Sequence, residues 1–148
     1  MNLLDTLEFN QLVIFVKNSK RAQMISKILT KNAFLNTCIT GDMPTDERIE
    51  NFKKFKNFQT RLLVSTQLAG RGIDIEKVNV VINFDFPEKA DEYLHRVGRA
   101  GRFGTKGLAI SFISTPEENK IFEEVQMKFA VSIPALPDDN VDKSLYMN

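Results

Sequence analysis

One cysteine, one histidine and no tryptophan occur among the 148 residues of this chain. Cys38 has no partner for an internal disulfide, which excludes a small secreted fold stapled by cross-links and favours a reducing compartment. A lone His and a lone Cys give no zinc-ligand spacing, and no Ser-His-Asp arrangement can be assembled around His95. Long apolar runs are missing too. None approaches the ~20 residues of a membrane span, and the opening MNLLDTLEFN has acids where a signal peptide carries basic and apolar residues. The chain therefore reads as neither secreted nor inserted. An excess of either charge is also absent: 20 basic against 19 acidic residues leave +1, too little to hold polyanions by bulk electrostatics. No G-x-x-x-x-G-K-[ST] phosphate loop occurs, since GTKG at 104–107 lacks both the following hydroxyl and the earlier glycine.

What is present is an ordinary globular composition, 43% hydrophobic and 26% charged with 12 Phe, at a length that suits one domain. Charge is unevenly spread. Between His95 and Ser114 there is no acid, while Arg96, Arg99, Arg102 and Lys106 are all basic. A second basic cluster, Arg48, Lys53, Lys54, Lys56 and Arg61, is broken only by Glu50. Acids gather at Glu117, Glu118, Glu123 and Glu124, and at Asp138, Asp139 and Asp142. Such segregation leaves room for an anion-facing side.

Short runs rich in branched and aromatic residues, QLVIFV (11–16), 34–40, RLLVS (61–65), VNVVINF (78–84) and LAISFI (108–113), predict buried strands. Helices are predicted between them. One follows Asn18 and Ser19, either of which can cap, with Ala22, Ile25, Ile28 and Leu29 on one face. Another follows Pro44, with Ile49, Phe52 and Phe55 inward, and a third spans about 88–97. The last is signalled by Thr115, Pro116 and Glu118, a capping box with proline at the first position. Phe52, Phe55 and Phe58 read as core rather than as a base-stacking platform. Alternating strands and helices predict an α/β fold, a mainly parallel doubly wound sheet covered on both faces, with ligands at the carboxyl ends of its strands. Residues 1–131 are expected to form this domain, and 132–148, with two prolines and no period, a tail lying on it or frayed from it.

Three loops are then expected at that edge: Lys17 to Ser19, Thr66 to Asp74, and the glycine-arginine segment after the helix carrying His95. HRVGRAGRFGTKG carries Gly98, Gly101, Gly104 and Gly107 every third residue, a spacing that disfavours a long helix by about 1 kcal/mol per glycine. Arg96, Arg99 and Arg102 share the spacing, and guanidinium forks suit phosphate oxygens. A solvated basic loop is the competing reading. In LLVSTQLAGRGID, hydroxyls at Ser65 and Thr66, glycines flanking Arg71, and Asp74 are suited to a phosphate and a sugar hydroxyl. A plain strand-end turn explains the same residues.

Taken together and in order, FVKNSKRA, STQLAGRGID, INFDFP and YLHRVGRAGRFGTKG resemble motifs IV, V and VI of the DEAD-box RNA-dependent ATPases, in their second RecA-like domain. HRVGRAGR matches the H-R-x-G-R-x-x-R pattern at every fixed position. GRGID, FGTKGLAISF and the tail look most like the branch acting in mRNA splicing and export.

The resemblance implies roles residue by residue. Arg99 and Arg102 reach the terminal phosphate of ATP, Arg99 as the finger, with Asp74 on the ribose and Gly72 beside the nucleotide. His95 belongs to the catalytic set, and Arg71 and Arg96 couple the two domains. Asn18, Arg48 and Thr66, with backbone near Gly41 and Gly72, hold RNA phosphates. It further implies ATP, Mg²⁺ held mainly by an N-terminal RecA-like domain of the same protein, single-stranded RNA bound without sequence preference, export or splicing adaptor proteins, and a nuclear location without a membrane. Thr40, Thr45, Gln67 and Asn18 depart from the residues frequent in the family at those positions. By itself the chain is expected to be inactive as an ATPase. The rival reading is a stand-alone RNA-binding or protein-docking module without nucleotide chemistry.

Overall fold

The computed structural model describes residues 4, 7–66, 78–97, 107–129 and 133–136. In chain order the elements are β1 (Gln11–Val16), α1 (Ser19–Lys31), β2 (Asn36–Ile39), α2 (Thr45–Lys56), β3 (Leu62–Thr66), β4 (Val78–Asn83), α3 (Ala90–Val97), β5 (Leu108–Ser111) and α4 (Pro116–Lys128). The strands form one sheet in the order β2-β3-β1-β4-β5, and every pairing is parallel. This is the parallel α/β architecture that the strand and helix pattern predicts, and it agrees with the RecA-like fold that the resemblance implies.

β1 is buried along its whole length, which is why it has no polar face. Leu12, Ile14 and Val16 pack with Val64, Val80 and Ile82 beneath Ala22 and Leu29 of α1. On the opposite face, Val13 and Phe15 pack with Leu63, Val81 and Phe55 of α2. Burial of each such aliphatic or aromatic side chain contributes about 1.5–3 kcal/mol. A third cluster joins Phe86 and Ala90 to Val125 of α4. There the Phe86 ring stacks on Tyr93 at 5.6 Å and meets Phe122 edge-on at 6.0 Å.

Local signals explain the helix ends. Asn18, not Ser19, caps α1: its side chain accepts from Arg21 N–H at 2.9 Å. At α4 the capping box is complete, with Glu118 N–H donating to Thr115 Oγ1 at 3.1 Å and Thr115 N–H to Glu118 Oε1 at 3.2 Å. Glu118 does more than cap, because its other oxygen accepts Phe86 N–H at 2.9 Å and so pins α4 to the loop after β4.

Three expectations are corrected. Phe58 is 44% exposed rather than core, since it stands just past the end of α2 in the left-handed region at φ 64°. Ile49 also faces solvent, so the apolar anchors of α2 in the cluster with Val13 and Phe15 are Phe52 and Phe55. The second basic cluster does not form one surface. Lys53, Lys54 and Lys56 occupy the last turn of α2, where cations complement the terminal carbonyls. Arg61 turns to the amino-terminal edge, donating to the carbonyls of Asn10, at 3.0 Å, and Phe9. Among the described residues no helix is long and apolar enough to cross a membrane.

Candidate functional site

After β1 the chain turns to α1 on the β2-β3 side, whereas after β4 it continues towards β5. Ligands of a parallel sheet bind at its carboxyl end where connections diverge in this way; here Lys17 to Ser19 and Phe84 to Phe86 meet at that end, Lys17 N–H donating to Asp85 Oδ2 at 2.9 Å. The loop after β2 and the end of β3 complete the same edge.

Short hydrogen bonds tie these segments together. Ser19 Oγ donates to Asp42 Oδ1 at 2.8 Å, and Thr40 Oγ1 donates to the same oxygen at 2.5 Å. The hydroxyls of Thr40 and then Ser19 hold the Asp42 carboxyl below its ordinary range. Gly41 N–H donates to Thr66 Oγ1 at 3.1 Å. Thus Gly41 and Thr66, both expected from the resemblance to meet RNA phosphates, are partners of each other. The Gly41 amide is engaged, while the Thr66 hydroxyl keeps its own hydrogen to donate. Asn18 spends Oδ1 on the cap, leaving its amide NH₂ as the group suited to phosphate. Arg48 stands in the first turns of α2 beside this edge, its Nε buried without a hydrogen-bond partner. Thr45, another departure, begins that helix, and its preceding cap Pro44 supplies no side-chain bond.

Arg96 behaves differently from an exposed phosphate ligand. Only 3% of it is accessible. Nη1 donates to Asp85 O at 2.5 Å and to Asn83 Oδ1 at 3.3 Å, and the guanidinium lies 5.2 Å from the Phe15 ring centroid. Desolvation lowers its pKa to about 10, against the opposing pull of Glu92, Asp85 and Glu88, so it stays charged at neutral pH. Arg96 therefore holds the end of α3 at the carboxyl edge.

Asp85 and Arg21 escaped the sequence reading. The Asp85 carboxylate accepts from Lys17 N–H at 2.9 Å, Arg21 Nε at 2.8 Å and Arg21 Nη2 at 2.8 Å. The available signal was an acid directly after an apolar strand, in INFDFP, opposite a basic residue one turn into the helix after β1. Gly72, Arg71, Asp74, Gln67, Arg99, Arg102 and the side chain of His95 lie outside the described residues. Among the described residues, no three His, Cys, Asp or Glu side chains gather closely enough to hold a metal ion.

Comparison with known proteins adds three findings. Residues 1–104 match the model of the helicase conserved C-terminal domain. The chain is 54% identical over 147 residues to the ATP-dependent RNA helicase SUB2 of Yarrowia lipolytica, covering 99% of this chain and 33% of that protein; it therefore spans about a third of that relative's length. Among solved structures it superposes on Saccharomyces cerevisiae Dbp5 bound to RNA and ADP BeF3, with a TM-score of 0.79, 32% identity, and coverage of 86% of this chain and 34% of that one. The Escherichia coli DEAD-box protein SrmB, bound to regulator of ribonuclease activity A, gives a TM-score of 0.82 at 32% identity, covering 99% of this chain and 83% of that one.

Proposed function

The chain belongs to the DEAD-box helicases as their C-terminal RecA-like domain, and on that premise we propose that it is the RNA-gripping, arginine-donating half of an ATP-dependent RNA helicase. One observation carries the reading: the loops holding Asn18 and Gly41 and the end of β3 at Thr66 are knitted into one edge, where Arg96 also holds the Asp85 backbone. In this reading the polynucleotide's phosphate donors line that edge, and the nucleotide arginines follow α3 in the chain. The likeness to Dbp5 bound to RNA and ADP BeF3 supports the same pairing of ligands.

In this reading Arg99 and Arg102 neutralise charge on the terminal phosphate of ATP, Asp74 and Gly72 hold the nucleoside side, and His95, Arg71 and Arg96 transmit closure. Asn18, Arg48, Thr66 and the backbone near Gly72 bind the phosphates of single-stranded RNA, positioning it without reading bases. Mg²⁺ neutralises charge on the nucleotide when bound and is held mainly by an N-terminal RecA-like domain. Residues 1–131 form the folding unit and 132–148 its tail. The resemblance to the splicing and export branch, with 54% identity to SUB2, supports a nuclear role in mRNA processing with adaptor proteins.

The test compares the chain alone with the full-length protein. Residues 1–148 alone should bind ATP weakly and show no RNA-stimulated hydrolysis, whereas the full-length protein should show both. Robust turnover by the isolated chain, with contamination excluded, would overturn the half-site reading. RNA binding by the full-length protein that ignores nucleotide would favour the stand-alone module.

A further inference from the structure

We infer that Asp85 is a positioning residue that sets the RNA loop at Asn18 and the helix leading to the arginine segment in one register. The inference rests on the function proposed above and deepens it by naming the link between the two ligands. On one side, the Asp85 carboxylate closes a ring around Asn18. Lys17 N–H reaches it at 2.9 Å and the Arg21 fork at 2.8 Å through both nitrogens. Arg21 N–H returns to Asn18 Oδ1 at 2.9 Å. Asn18 is thus held before and behind by one acid that lies 67 residues further along the chain. A bidentate guanidinium-carboxylate pair fixes direction as well as distance, so the loop cannot tilt without moving Asp85.

On the other side, the backbone of the same residue is held by α3. Asp85 O accepts Arg96 Nη1 at 2.5 Å, and Asp85 N–H donates to Phe15 O at 3.3 Å. The Arg96 guanidinium in turn lies over the Phe15 ring. Asn83 extends the connection to β5, its Nδ2 donating to Ser111 Oγ at 2.9 Å. Asp85 is itself buried, so its contacts cannot be exchanged freely for water. Arg96 precedes Arg99 by three residues. A shift at Asn18 on meeting RNA therefore passes through one residue to the helix that precedes the nucleotide arginines in the chain.

The test is Asp85→Asn, which keeps the shape but cannot accept both Arg21 donors. In the full-length protein, the RNA concentration giving half-maximal ATPase should rise by about tenfold, with ATP affinity in the absence of RNA changed much less. Arg21→Lys, which keeps the charge but loses the fork, should shift the RNA requirement in the same direction by a smaller factor. An unchanged RNA requirement in folded Asp85→Asn protein would overturn the inference. A second measurement is independent of helicase activity: amide spectra of residues 1–148 compared with the Asp85→Asn variant. Resonances of Lys17 to Ser19 and of Ala90 to Val97 should move together. Changes confined to Phe84 through Phe86 would overturn the inference even if the ATPase reading stands. Concerted changes in a full-length protein lacking RNA-stimulated turnover would sink the proposed function and leave the structural link intact.

Discussion

Gly41 and Thr66 meet across 25 residues of sequence through a single backbone-to-hydroxyl hydrogen bond of 3.1 Å, which locks the loop after β2 to the last residue of β3. Thr66→Val keeps the shape and strands the Gly41 N–H. Urea denaturation should show a loss of about 1–2 kcal/mol. On the proposed phosphate contact, binding of unrelated single-stranded RNAs should weaken alike, since phosphate contacts carry no base information. Thr66→Ser should retain most of both properties. A loss confined to one RNA sequence would contradict phosphate contact.

Arg99 offers the sharpest test of nucleotide chemistry. In the full-length protein, Arg99→Ala should slow hydrolysis by about 10³ or more while changing ATP affinity far less, since a finger acts on charge that develops in the transition state. Arg99→Lys should rescue poorly, because lysine keeps the charge without the planar fork. Thermal unfolding of each variant establishes that the loss is not misfolding. Hydrolysis near the parent rate would remove Arg99 from the catalytic set.

Glu118 makes the stability of the α4 junction depend on pH. Its burial opposes ionisation, but the N–H groups of Ser114, Phe86 and Thr115 and the Ser114 hydroxyl outweigh it and hold the carboxyl below the ordinary glutamate range. A lowered folded pKa contributes stability that is present above the unfolded value of about 4.3 and lost as pH falls through the folded one. Glu118→Gln should therefore be less stable than the parent at neutral pH, with the gap closing in acid. Thr115→Ala, which removes only the cap oxygen, should cost about 1 kcal/mol at any pH where Glu118 is charged.

Cys38 should be a slow thiol. Desolvation, with smaller contributions from Asp42 and Glu47, raises its pKa to about 11. At pH 8 a thiol-specific reagent should label the native chain about 100-fold more slowly than the urea-unfolded chain, following the thiolate fraction. A raised folded pKa favours the fold below the unfolded thiol's pKa of about 8.5, and the contribution disappears as pH rises through the folded value. Stability should fall across that alkaline window, and Cys38→Ala should flatten the fall.

The strands and the α4 cap were legible because each is a local signal. Buried parallel strands leave uninterrupted runs such as QLVIFV, and Thr115 with Glu118 satisfies a helix end within four residues. The motifs likewise pointed to the turn after β1 and the end of β3, which stand at the carboxyl edge. What could not be read was pairing at a distance. Asp85 shows in sequence as an acid in a turn, and only the meeting of β1 and β4 turns it into the acceptor for Lys17 and Arg21. Arg96 looked like one more phosphate ligand in a periodic series, yet its neighbours Asn83 and Phe15 draw it inward. Phe58 failed for a local reason, as the chain must reverse after α2 and takes the left-handed conformation there.

The order β2-β3-β1-β4-β5 places the earliest strand at the centre. Leu12 pairs with Leu62 on one side and Val80 on the other, so no neighbouring hairpin can shelter β1 while the polypeptide is being synthesised. Until the ribosome has delivered β3, the hydrophobic segment QLVIFV has both hydrogen-bonding rims open, and until β4 emerges it still has one. Such distant pairings assemble slowly. A nascent chain stalled between β1 and β4 would thus expose an apolar strand with an unpaired rim, a template for aggregation, and emergence of Asn83 from the ribosome is the point at which that hazard ends.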